Sequence, residues 1–215
     1  MAKTSAEKKK PASERWALPA SQARSRATRE RLLDAAETVF AAKGYDGAKI
    51  SDIAQEAGVS VGAVYFRFQD KNALFSAIAE SFIDNARAGL SALLDHTPAG
   101  RAELLRNFVH VSAASFRRHR GLFRAIVERG IDHPEAMQAI FRFRDELADR
   151  LEDALGNAGH KPSTLSVRVM TQMIYGFLIA GVLNARAPTQ IDDSRAIAGL
   201  ADACVAYLAC GDDPR

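Results

Sequence analysis

Residues 50–71, Ile-Ser-Asp-Ile-Ala-Gln-Glu-Ala-Gly-Val-Ser-Val-Gly-Ala-Val-Tyr-Phe-Arg-Phe-Gln-Asp-Lys, constrain this chain more than any other stretch. Ile50, Ile53, Ala54 and Ala57 recur at intervals of three and four, which places them on one face of a short helix. Gly58 follows where a helix end turns left-handed, a conformation costly for residues with a Cβ. Val59 is the apolar anchor of the turn, and Ser60 offers a hydroxyl to cap a second helix that buries Val64 and Phe68. Two helices around a three-residue turn containing Gly form a helix-turn-helix, a unit that lays its second helix in the DNA major groove. An ordinary helical corner of an all-α protein carries the same local pattern.

The surrounding residues resemble the TetR (tetracycline-repressor-like) family of bacterial transcriptional regulators. That family's amino-terminal signature runs Phe-x-x-x-Gly-Tyr/Phe, then Ile-Ala-x-x-Ala-Gly-Val-Ser, then Tyr-x-x-Phe-x-x-Lys-x-x-Leu. This chain carries Phe40, Gly44 and Tyr45; Ile53, Ala54, Ala57, Gly58, Val59 and Ser60; Tyr65, Phe68, Lys71 and Leu74. The resemblance covers the amino-terminal quarter. It departs from the family at Lys49, where a Ser or Thr usually caps the second helix, at Ala63, where a hydroxyl is common, and at Arg67, which replaces His or Tyr. The resemblance implies an all-α protein of about nine helices, with an N-terminal helix-turn-helix domain and a C-terminal helical domain for ligand binding and dimerisation. The implied division is a basic disordered tail at 1–24, a DNA-binding domain at 25–71, a linking helix at 72–96 and the ligand-binding and dimerisation domain at 97–215.

Charge is placed unevenly. Residues 1–31 hold nine Lys or Arg against three Glu, a local net of +6, leaving 20 basic and 23 acidic residues in the remainder. A basic front on a slightly acidic body suits a polyanion partner at the front alone. The tail is either a solvated leader or an arm adding phosphate or minor-groove contacts. Arg24, Arg26, Arg29 and Arg31 open the first helix, expected from about Ser25 to Lys43, and in this fold lie near the DNA backbone. The two cysteines, Cys204 and Cys210, are six residues apart on one expected helix, and a turn of about 240° keeps them from facing each other. A reducing cytoplasm is therefore expected. The most apolar run, Met173 to Leu183, is shorter than the ~20 residues of a bilayer span, so no membrane partner is expected.

Helical periodicity continues to the end of the chain. Asp70 can cap a fourth helix, and a cation at Lys71 in its first turn opposes the helix dipole, which favours a phosphate partner. Thr97-Pro98 is expected to open the body. Helices follow to the Arg117–Gly121 cluster, from Leu122 to Arg129, and from Pro134 to about Gly156. The last two helices, about Pro162–Ala187 and Asp193–Ala209, form a dimer interface in TetR-like proteins, and a two-fold dimer presents two recognition helices to two half-sites.

The expected DNA-binding residues are Lys49, Ser51, Ser60, Val61, Gly62, Ala63, Tyr65, Phe66, Arg67 and Lys71. Tyr65, Lys71, Ser60 and Arg67 would meet phosphates, while the apolar Val61, Gly62, Ala63 and Phe66 favour thymine-methyl contact and shape readout. The expected effector-lining residues are Phe108, Ser112, Phe116, Phe123, Phe141, Met170, Met173, Tyr175 and Phe177, although aromatics and Met at helical spacing are also ordinary core. They would favour an apolar or aromatic small molecule. No phosphate loop, His-Glu-x-x-His or Gly-x-Ser-x-Gly is present, so neither an enzyme nor a cofactor is expected. Glu128, Asp132, His133 and Glu135 read as a capped, solvated loop ahead of a metal site. The expectation is a cytoplasmic homodimeric repressor, joined through its last two helices, that binds a palindromic double-stranded DNA operator and is released by a small effector. Two alternatives are a sequence-tolerant DNA-binding protein without an effector, and a ligand-binding or catalytic helical protein with a vestigial head.

Overall fold

The alternation of apolar stripes with Gly, Ser and Asp caps resolves into nine helices, and no strands, among the described residues. The computed structural model describes residues 14–95, 100–129, 134–184 and 189–210, with the backbone alone for 14–21, 95, 134–136 and 210. The helices are α1 (Glu14–Gly47), α2 (Ile50–Glu56), α3 (Val61–Tyr65), α4 (Lys71–Asp95), α5 (Arg101–Arg118), α6 (Arg120–Arg129), α7 (Pro134–Asn157), α8 (Thr164–Leu183) and α9 (Ser194–Cys210). α1 starts at Glu14, eleven residues before the expected start at Ser25. Extending a formed helix costs far less than nucleating one, and α1 runs back through Pro19, which lacks the N–H of a helix interior. The expected start of the body at Thr97-Pro98 lies outside the described residues, and Gly100 precedes α5.

Local caps build the head, α1 to α3. Gly44 interrupts α1 at φ 70°, and Gly58 closes the α2–α3 turn at φ 65°, both left-handed. Ser60 Oγ accepts from the Ala63 N–H at 3.2 Å and starts α3. Lys49 supplies no side-chain cap to α2; the Asp52 carboxylate reaches back to the Lys49 N–H at 3.2 Å and pairs with Lys43 at 2.8 Å. Asp70 caps α4 by accepting from Ala73 N–H at 2.7 Å. Beneath these turns Phe40, Tyr45 and Phe75 meet at centroid distances of 5.3–6.3 Å, with Leu32, Ile53, Val64 and Leu74 fully buried around them. Each such side chain contributes about 1.5–3 kcal/mol by leaving water.

The head is joined to the body mainly through α1 against α6. Gly121 makes the crossing close: a Cβ there would lie 2.8 Å from the Glu37 carbonyl carbon and 3.0 Å from Ala41 N. Arg124 donates to the Ala41 carbonyl at 2.8 Å and pairs with Glu128, whose carboxylate accepts the Tyr45 N–H at 2.8 Å. Body side chains thus satisfy the polar groups released where α1 breaks. In the body α4 packs on α7, α5 on α9 and α7 on α8.

α8 is 20 residues long and, by length and composition alone, apolar enough to cross a membrane. The helix extends the apolar stretch Met173–Leu183 back to Thr164 but carries Arg168 and Gln172 on the way, and its length and composition are those of a bundle core helix as much as of a span. Val167, Met170, Ile174 and Leu178 are buried in the bundle. The opposite face is a helical stripe of Leu165, Val169, Met173, Gly176, Ala180 and Leu183, all exposed, with Leu165 at 71%.

Candidate functional site

Two features of the fold can meet a partner: the outer face of the head and a cavity in the body. On the head, α3 buries Val64 fully and turns Val61, Gly62, Tyr65 and Phe66 outward. Phe66 is 85% exposed, a large aromatic surface that nothing in the head core explains. Lys49, Ser51 and Ser60 are exposed on the same two-helix unit, while Ala63 is half-buried. The half-buried Arg67 guanidinium donates to the Ala63 carbonyl at 3.1 Å and lies 5.7 Å from the Phe66 ring centre. A shallow groove gathers Arg67 with Arg26 and Arg29 of α1. Three guanidiniums beside a short apolar helix form a surface suited to phosphates flanking a groove.

Lys71 has a different environment from the one its sequence position suggests. Its ammonium donates to the carbonyls of Tyr45 at 2.8 Å and Ala48 at 2.9 Å and lies 4.5 Å from the Tyr45 ring centre. Burial pushes its pKa down, outweighing the upward pull of Asp46. The cation opposing the dipole of α4 therefore has partners inside the protein: it caps the end of α1. Tyr45 also donates its hydroxyl to Asn72, and the Arg129 guanidinium lies 5.3 Å from the Tyr45 ring centre.

The body holds a cavity of about 480 Å³ between α4, α5, α7 and α8. Its floor is aromatic and aliphatic: Phe82, Phe108, Phe116, Phe143, Leu147 and Tyr175. Of the nine expected lining residues, Phe108, Ser112, Phe116 and Tyr175 are on the wall. The other five lie elsewhere. Phe123 stacks behind Phe116 at 3.7 Å, Met170 is core, Phe177 is half-buried against the core, and Phe141 and Met173 are exposed at 45% and 41%. Periodicity selects apolar residues but not which apolar face meets a void, and Phe141 and Met173 point away from the bundle. Sequence reasoning missed the contribution of α4 (Phe82, Asn85, Gly89 and Leu90) and of Arg118 and His119 at the end of α5. The i, i+3, i+7 series Ser112, Ser115, His119 was the legible signal for the latter.

His119 joins the two features. Its ring packs edge-on to Phe82 at 5.0 Å in the cavity, and its Nδ1 lies 2.9 Å from the Glu37 carboxylate on α1. A displacement of Phe82 or His119 by a ligand would thus reach the helix that carries the head. No cluster of three metal-ligating side chains occurs among the described residues. Glu128 of the acidic loop is held by Arg124 and Tyr45, while the side chains of Asp132, His133 and Glu135 lie outside the described residues.

Comparison with known proteins agrees with this architecture. The family "Bacterial regulatory proteins, tetR family" matches residues 32–78, and "Tetracyclin repressor-like, C-terminal domain" matches residues 101–208. The HTH-type transcriptional regulator SrpR of Pseudomonas putida is 28% identical over 186 residues, spanning 76% of this chain and 79% of that protein. The HTH-type transcriptional repressor Rv1474c of Mycobacterium tuberculosis is 45% identical over 53 residues, 25% of this chain and 28% of that protein. The chain thus spans about a quarter of the length of relatives of this second kind. A crystal structure from Mesorhizobium loti MAFF303099, assigned to the TetR family, superposes with a TM-score of 0.71 at 18% identity, covering 87% of this chain and 98% of that one. The two family matches together take in the helix-turn-helix head and most of the helical body, and the chain belongs to the TetR family of transcriptional regulators.

Proposed function

We propose that the chain is a homodimeric repressor that binds a palindromic operator through α3 and is released by a small apolar or aromatic effector held in the body cavity. The residue boundaries of this reading are a head at 25–71, a linking helix at 72–96 and a sensing and dimerising body at 97–215. The observation that carries it is the cavity's direct connection to the head through His119 and Glu37, beside an outward α3 that bears the unburied Phe66. The apolar outer stripe of α8 and the exposed Gly199, Ala203 and Ala206 of α9 support a second copy as the occupant of that face. The small residues let two helix pairs approach closely. The repressor sense follows the name of the mycobacterial relative.

Release follows as a population shift. A ligand that favours one spacing of the two heads disfavours the ~34 Å separation of successive major grooves, and operator affinity falls. Selection of bound fragments from random DNA at near-physiological salt tests the reading. A palindromic motif is expected. Recovery of no motif, with binding lost steeply as salt rises, would replace it with sequence-tolerant DNA binding.

A further inference from the structure

The polar side chains of the body cavity are distributed unevenly, and their chemistry discriminates between effectors. Among the described residues no Asp or Glu lines the cavity, so a cationic ligand would enter an aromatic chamber without a counter-charge. The wall instead offers one guanidinium, one imidazole, one amide and hydroxyls. Arg118, Asn85, Ser112 and Ser115 make no side-chain hydrogen bond or ion pair among the described residues, in contrast to their neighbours Arg117, bonded to the Ile191 carbonyl, and Arg120, paired with Asp192. Ser112, Ser115 and His119 stand in line along α5 and lead to Arg118. The cavity therefore has an aromatic floor and a cationic, donor-rich end.

We infer that the effector is an amphipathic aromatic anion, a carboxylate or sulfonate, with its rings among Phe82, Phe108, Phe116 and Phe143 and its acid group against Arg118 and His119. This rests on the reading of the cavity as the effector site and deepens it. An acid group meeting Arg118 gains a charge-assisted hydrogen bond that a neutral analogue lacks. It also approaches the imidazole that Glu37 holds from the other side, so the ligand's charge competes with the head's own carboxylate for His119. The aromatic body supplies burial, and the acid group supplies the signal.

The test uses two fluorescent probes that differ by one sulfonate, 8-anilinonaphthalene-1-sulfonate and N-phenyl-1-naphthylamine, titrated into the full-length protein. The sulfonate probe is expected to bind roughly tenfold or more tightly than the neutral one. Arg118→Gln should collapse that ratio while leaving the neutral probe's affinity in place. Gly89→Phe should abolish cavity binding of both, since an added Cβ at Gly89 meets nothing within 4 Å and the ring can fill the chamber without moving the backbone. Equal affinities, or a ratio unchanged by Arg118→Gln, would overturn the anionic assignment while leaving an effector cavity in place. If Gly89→Phe changed neither titration, the probes would be binding elsewhere, and both the assignment and the effector reading of the cavity would fall.

Discussion

The crossing of α1 and α6 offers a substitution in which two effects of known sign compete. Gly121→Ala removes a flexible residue from the first turn of α6, which by itself stabilises by about 0.4–1 kcal/mol through the unfolded chain. The added methyl, however, would sit 2.8 Å from the Glu37 carbonyl carbon, against an ordinary carbon–carbon contact of about 3.5–4 Å. The shortfall at that carbon is roughly 0.7 Å or more, the Glu37 carbonyl oxygen is nearer still, and the obstacle is backbone, so no rotamer change relieves it. Overpacking of this kind costs about 1–3 kcal/mol, and the rigid neighbour puts this site at the upper end. The net expectation is a loss of about 1–2 kcal/mol, read as a lower urea midpoint at fixed protein concentration. For a chain of this length that is about 2–8 °C in Tm. Operator affinity should fall with it, because α1 moves with the head. Gly89→Ala, with open space around its Cβ, is the control and should match or exceed the wild type. A Gly121→Ala protein as stable as that control would refute the claim that backbone contact fixes the joint.

Three further substitutions address the head and its joint to the body. Lys71→Met should cost about 1–3 kcal/mol of stability and leave the salt dependence of DNA binding nearly unchanged, because its ammonium serves the Tyr45 and Ala48 carbonyls. An unchanged stability with a shallower salt slope would restore a phosphate role. Phe66→Ala should leave stability within about 0.5 kcal/mol, since the ring is 85% exposed, yet weaken operator binding in gel-shift titration. Unaltered affinity would remove Phe66 from the interface. Glu128→Gln tests the joint by pH. Burial alone would raise the Glu128 pKa, but its hydrogen bonds from Arg124 and the Tyr45 N–H outweigh that and hold it below 4.5. Its stabilisation is therefore fully present above pH 4.5 and lost as pH falls through the depressed value. The gap between wild type and variant, in urea melts across pH, should be constant near neutrality and close on the acid side. A gap independent of pH would contradict this.

The head was legible in sequence because its signals are local. Gly58, Ser60 and Asp70 each perform the capping role that their residue type and position suggest, and Ile53, Val64 and Phe68 fall on the buried side. Lys71 was harder to read because its partners are 23 and 26 residues away, and a cation near a helix start carries no mark of whether its acceptor is a phosphate or a carbonyl. The cavity was legible in part. Phe108 and Phe116 share the α5 stripe with Ser112, but the α4 wall arises from how two long helices diverge, which no single stripe encodes. The Glu37–His119 pair spans 82 residues and joins two elements that look complete on their own.

Where α1 breaks at Gly44, the groups that complete the turn belong to α6. Tyr45 N–H, the Ala41 carbonyl and the Glu37 carboxylate all find partners between His119 and Glu128. The head is consequently not a portable module. Grafted onto the body of another family member, it would keep this seating only if that body presented a Gly, an Arg and a Glu at the places of Gly121, Arg124 and Glu128. The amino-acid identities that fix how this protein holds its recognition helix thus lie outside the segment that touches DNA.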